Sequence, residues 1–201
     1  MDIIRDIQSQ VDKASAGFSL SLENILQVGF NYFRKSPGIF IIYSIVAAIA
    51  ISNPVTGILF GGPMLAGYYI YILHLRNRKD PGLPVFFRSF DKFFPLMVLN
   101  LLLVLIITLG LIMLVIPGIY FMVSYLFAHF FVWFFDIHPS EALRLSRKMV
   151  SGNFSQLFWL CLILAGINLL GAMAFLVGLL LTIPFTACVI FAAFEDIIGI
   201  P

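Results

Sequence analysis

Three long stretches of this chain contain no Asp, Glu, Lys or Arg: Ser36 to Leu75 (40 residues), Phe93 to Phe135 (43) and Met149 to Phe194 (46). Each is apolar nearly throughout and holds an internal break signal: Ser52-Asn53-Pro54, Ile116-Pro117-Gly118, and Gly178 followed by Pro184. A helix needs about 20 apolar residues to cross a hydrocarbon core, so each stretch accommodates two crossings. The pattern predicts an all-α integral membrane protein with six transmembrane helices, folded as three hairpins at about 37–75, 95–135 and 153–194. Residues 1–35 form a separate N-terminal segment, and 36–196 the six-span membrane domain.

The segments between the hairpins are amphipathic. Ile3, Ile4, Ile7, Val11 and Ala14 recur at helical spacing up to Gly17. A second helix starts at a plausible N-cap, Ser21, and carries Leu22, Ile25, Leu26 and Phe33 on one face before Arg34-Lys35. After the turn signals Pro81, Gly82 and Pro84, Phe86, Phe87, Phe90, Phe93 and Phe94 fall on one helical face, opposite Arg88, Asp91 and Lys92. That predicts a helix at about 84–94 lying in the headgroup plane, its rings in the acyl boundary. A third amphipathic helix is expected at about 140–151, with Arg144, Arg147 and Lys148 on a basic face and Leu143 and Met149 turned away. Each hairpin thus follows an interfacial amphipathic helix. Each returning span carries a proline at a comparable place (Pro63, Pro117, Pro184), a plan that suggests parallel repeats about an axis near the membrane normal. In the second span, Gly57-xxx-Gly61 and Gly62-xxx-Ala66 are spacings that let helices approach closely in lipid.

Charge orients this layout. All 12 Lys and Arg fall in the polar segments 1–35, 76–92 and 136–148, and short basic loops stay cytoplasmic. A multi-pass protein of the cytoplasmic (inner) membrane is expected, with both termini in the cytoplasm. Residues 1–35 lack an apolar signal-peptide core, so insertion is expected to begin at the first span. At 61% hydrophobic, 11% charged and a mean hydropathy of +1.05, the chain is far from a soluble domain, in which about 25% of residues are charged. Its length leaves no room for a soluble catalytic module.

The chemistry is sparse. There is no HExxH, GxSxG, phosphate-binding glycine loop or CxxC. Cys161 and Cys188 sit in apolar stretches as small hydrophobes, so neither a metal nor a cofactor is expected, and the chain reads as a non-enzyme. Ionisable residues inside a membrane mark ion paths, and their absence from the spans argues against ion-coupled transport. Asn100 and Asn168 are expected to hydrogen-bond between helices, and His129 to pack neutral against a carbonyl. Trp133, Trp159, Tyr68, Tyr69 and Tyr71 map near inner span ends, as an aromatic belt would. Arg88, Lys92, Arg144, Arg147 and Lys148 are the candidate contacts for anionic lipid headgroups, or for a cytoplasmic or membrane protein partner. Nucleic acid is not expected.

Leu114-Val-Ile-Pro-Gly-Ile-Tyr120, Ser140-Glu-Ala-Leu-Arg-Leu-Ser146, Gly152-Asn153-Phe154, and Leu181-Thr-Ile-Pro184 through Ala193-Phe-Glu-Asp196 carry a family likeness. Over roughly residues 20–198 the chain resembles the bacterial and archaeal six-span membrane proteins of the YciC-like and DUF975-like type. It is similar also to the membrane domain fused to some glycerophosphodiester phosphodiesterases. The resemblance implies a helical membrane protein with an inward-facing amphipathic segment between spans four and five, and no activity. Two functions are in contention. One is a scaffold, accessory subunit or lipid-interacting component acting through its cytoplasmic face; the alternative is a small-solute permease or the substrate-binding membrane subunit of an importer.

Overall fold

The computed structural model describes residues 2–77, 82–174 and 177–199, and every regular element among them is helical. In chain order these are α1 (Asp2–Ser15), α2 (Leu22–Phe33), α3 (Pro37–Ala50), α4 (Pro54–Arg76), a 3-10 segment (Leu83–Lys92), α5 (Phe93–Met113), α6 (Val115–Ser124), α7 (Ala128–Phe135), α8 (Pro139–Ser151), α9 (Phe154–Met173) and α10 (Leu179–Ile197). Local chemistry sets several of these limits. Gly17 ends α1 at φ +122°, a conformation that a side chain would strain. The side chain of Ser21 accepts from Asn24 N–H at the start of α2, and Asn53 accepts from the N–H groups of Val55 and Thr56 at the start of α4. Pro37, Pro54 and Pro139 occupy first turns, where a missing N–H costs nothing.

Five helical stretches are long and apolar enough to cross a membrane: α4, the 3-10 segment with α5, α6 with α7, α9, and α10. A sixth arises only if α2 and α3, bent by 87°, are counted as one span. The reason is the length of α3. Its 14 residues rise about 21 Å, short of the roughly 30 Å of a hydrocarbon core.

The structure departs from the expected layout in several places. The second hairpin turns at Leu114, and Pro117 lies inside the first turn of α6. The stretch of α6 with α7 is interrupted at residues 125–127, which carry no glycine or proline. The segment expected as an interfacial helix at 84–94 is a 3-10 helix lying along α4 and running directly into α5. Its Phe86 is fully buried, stacked on Tyr43 and Tyr71 with ring centroids 3.9 and 4.2 Å away, not in an acyl boundary. Tyr68, Tyr69 and Tyr71 are likewise buried, so they form core rather than a belt; Trp159 alone of the expected belt is more than half exposed. Arg78 and Lys79 lie outside the described residues.

Burial divides the helices into two sets. The returning helices are buried over 61% (α4) and 50% (α6 with α7, and α10) of their apolar windows, the α5 and α9 stretches over only 22%. The returning helices meet through rings: Tyr69 of α4 stacks on Phe130 of α7 at 4.1 Å, and Phe130 on Phe194 of α10 at 4.4 Å. Around this centre the contacts run cyclically. The 3-10 segment packs on α4, α8 on α7, and α2 on α10. The 3-10 segment and α8 therefore each lie against the returning helix of the hairpin before them, and α2 lies against the last returning helix. Helix α3 follows the same rule, packing more on α10 than on its own partner α4.

Candidate functional site: a basic cavity on α8

Helix α8 doubles back along α7, since Pro139 follows the end of α7 and Ser146 reaches its beginning. Ser146 is fully buried. Its hydroxyl donates to Ser124 O at 2.9 Å and accepts from Phe127 N–H at 3.2 Å. Both partners are backbone groups that the break between α6 and α7 releases from the helical ladder, and buried backbone groups need such partners. One serine on a neighbouring helix thus stabilises the break. Ala142, Leu145, Met149 and Val150 bury the same face of α8. Helix α1 covers part of the remainder, with Ile7, Val11 and Ala14 buried. Asn153 Nδ2 donates to Phe18 O, and Leu20 N–H to Gln156 Oε1, tying the link after α1 to the start of α9. The expected surface-lying helix at 140–151 is therefore packed between the bundle and α1.

The opposite stripe of α8 is polar. Ser140, Arg144, Arg147, Lys148 and Ser151 fall at i, i+4, i+7, i+8 and i+11, one helical face. Together with Tyr120 and Tyr125 they line a cavity of about 580 Å³. The sequence offered the three cations; the two phenols were not legible, because the break at 125–127 sets where Tyr125 goes. Arg144 makes a two-pronged pair with Glu141, through Nε to Oε2 at 2.8 Å and a second, shorter bond to Oε1. This pairing holds the Glu141 carboxyl below its usual range and raises Arg144 above its own. Lys148 Nζ is 2.5 Å from Asp12 Oδ1 of α1. Arg147 lies 5.8 Å from the centroid of the Tyr120 ring, and its bond to that phenol raises its pKa. Three cations thus face two carboxylates, and Arg147 is the one whose nearest partner is a neutral phenol. Such a site attracts an anion and offers it guanidinium, ammonium and hydroxyl donors.

The other predicted residues stand elsewhere. Lys92 is committed to Asp136 at 2.7 Å, to Trp133 O at 3.1 Å and to the Trp133 ring at 5.5 Å. Arg88 is exposed on the 3-10 segment. Asn100 Nδ2 donates across to Gly57 O and Ile58 O of α4 at 3.1 and 2.9 Å. Asn168 Nδ2 donates to Leu164 O at 2.9 Å and to Thr186 Oγ1 of α10 at 2.7 Å, while its Oδ1 has no partner. His129 is buried and its Nε2 has no hydrogen-bond partner, so that atom does not make the carbonyl contact expected of it. No group of three or more His, Cys, Asp or Glu among the described residues is placed to hold a metal ion.

No known family model matches this chain, and neither a curated protein nor a solved structure does. The cavity's own chemistry therefore carries the functional argument. Helix α6, which contributes Tyr120 to this cavity, also carries the exposed apolar side chains Ile119 and Met122.

Proposed function

We propose that this chain is a non-enzymatic membrane protein that acts through its charged face, holding anionic, phosphate-bearing headgroups in the cavity on α8. The observation that carries this reading is the convergence of Arg144, Arg147 and Lys148 with two phenols beside an apolar, outward-facing helix surface. In this reading it is a six-span protein of the cytoplasmic membrane, built as three parallel repeats with both termini inside, and of the YciC-like and DUF975-like type. The cyclic contact order supports the repeats, and the one-sided placement of the basic residues supports the orientation. Scaffolding of a partner at an anionic membrane surface fits the same geometry. A permease finds less support, because the returning helices meet through stacked rings.

Retention of phosphatidylglycerol against phosphatidylcholine, measured by native mass spectrometry from detergent or nanodiscs, tests the headgroup reading. Basic residues near an anionic surface contribute about 1 kcal/mol each. Replacing Arg144, Arg147 and Lys148 by Gln should therefore lower the preference for phosphatidylglycerol about a hundredfold at low salt, and less at high salt, where charges are screened. An unchanged preference refutes the reading. Orientation is tested separately: Asn53→Cys should react with an impermeant thiol reagent outside intact cells and Lys79→Cys should not.

A further inference from the structure

A second cavity, of about 400 Å³, lies between α6, α9 and α10. Its walls are apolar: Ile119 and Met122 from α6, Leu126 from the break after it, and Phe158, Leu162 and Ala165 from α9. It opens to the outside of the bundle, where Met122 and Leu162 are about half exposed (52% and 50%). The cyclic packing makes this seam comparable with the one between α4 and α5. That seam is shut. A Cβ on Gly62 would collide with the carbonyl oxygen of Leu96, and Asn100 bonds across to α4. Asn168 precedes Pro184 by 16 residues, much as Asn100 precedes Pro117 by 17. Yet Asn168 turns to Thr186 of α10, and α6 presents bulky side chains where α4 presents glycines. The α6–α9 seam stays open.

The open seam and the basic cavity share α6, and one row of rings joins them. Tyr120 lines the basic cavity and lies 5.3 Å from Phe154; Phe154 stacks at 6.2 Å on Phe158, which lines the apolar one. Along α9 the apolar cavity runs from Phe158 to Asn168, about 15 Å at the helical rise. That is about half the thickness of a hydrocarbon core, the depth of one leaflet. Asn168 and Thr186 close the far end with a polar pair.

We propose that the two cavities are the two ends of one binding site for a single anionic phospholipid. Its phosphate lies among Arg144, Arg147 and Lys148, and one acyl chain lies in the α6–α9 groove. The proposal rests on the headgroup reading above and adds that the ligand is a bilayer lipid, not a free phosphate. The groove opens onto the apolar belt of the bundle, where hydrocarbon is the available occupant.

Cys161 lines the groove as a free thiol and reports occupancy without any mutation. Phosphatidylglycerol should slow its alkylation by N-ethylmaleimide, read by peptide mass, and inorganic phosphate should not. Ala165→Trp, a change at an exposed position on the groove wall, should lower phosphatidylglycerol retention about tenfold or more and leave thermal stabilisation by inorganic phosphate intact. Equal alkylation with and without the lipid, or normal retention by the Trp variant, overturns the acyl-chain assignment while the headgroup reading stands. Normal retention by the triple Gln variant overturns both. Protection of Cys161 by inorganic phosphate alone would show a soluble ligand and overturn the lipid assignment.

Discussion

Ser146→Ala is the substitution whose effect the structure bounds most closely. The serine is completely buried and serves two backbone groups at once, Ser124 C=O and Phe127 N–H. Alanine keeps the fit of the helix and removes only the hydroxyl. A buried polar group left without a partner costs about 1–3 kcal/mol. Two such groups would cost about 2–6 kcal/mol, and local relaxation of residues 125–127 places the expected loss in the lower half, about 2–4 kcal/mol. The assay is reversible unfolding in mixed micelles of mild detergent and sodium dodecyl sulfate, followed by circular dichroism. Ser151→Ala is the control: it lies on the same helix, its hydroxyl bonds only to Lys148 O, and it is exposed, so it should change stability by less than about 0.5 kcal/mol. If Ser146→Ala matched Ser151→Ala, the serine would not stabilise the break between α6 and α7, and the reason given for that break would be wrong.

Three further outcomes are expected. Gly62→Ala should destabilise the bundle by about 3 kcal/mol in the same assay, because the added methyl meets backbone rather than a movable side chain. Asp12→Asn should free Lys148 and raise phosphatidylglycerol affinity up to about fivefold, since an exposed ion pair is worth about 0–1 kcal/mol; a fall would show that α1 builds the site rather than competing for it. Glu141 is held below its usual range by Arg144, so their pairing is present at neutral pH and lost as pH falls through the depressed value. Acidification should therefore release Arg144 and strengthen anionic-lipid binding, and Glu141→Gln should bind at neutral pH as the native protein binds in acid.

What the sequence made legible and what it hid separate along a physical line. Features set by local chemistry were readable: α1 ends by Gly17, Ser21 caps α2, the first hairpin breaks at Ser52-Asn53-Pro54, and the last turn falls beside Gly178. The second turn was misplaced by about three residues because Pro117 reads equally as a turn or as a first-turn helix residue. Features set by distant partners were not readable. The break at 125–127 depends on Ser146, which follows about twenty residues later. The phenylalanine stripe at 86–94 has the spacing of a membrane-facing helix, but Tyr43 and Tyr71 enclose Phe86, and nothing in the local pattern records that. At the site, the basic stripe of α8 was visible as periodicity. The carboxylates that occupy two of its three cations come partly from α1, more than 130 residues earlier for the Asp12–Lys148 pair.

That long reach has a consequence for how the protein is made. Chains emerge from the ribosome N-terminal end first, so α1 and α2 are complete long before their partners exist. Helix α1 has no α8 to lie on until the second hairpin is complete, and α2 no α10 until the third has been inserted. The early membrane-inserted chain is thus an open ring, with Ile7, Val11 and Ile25, all buried in the finished protein, still exposed to chaperones or to the bilayer surface. Loss of α10 would leave α2 and α3 without their chief contact, while the α4–α5 seam, assembled earlier from neighbouring segments, would remain. Truncations from the C-terminal end should therefore unmask protease sites first near the N-terminus, at the opposite end of the sequence from the damage.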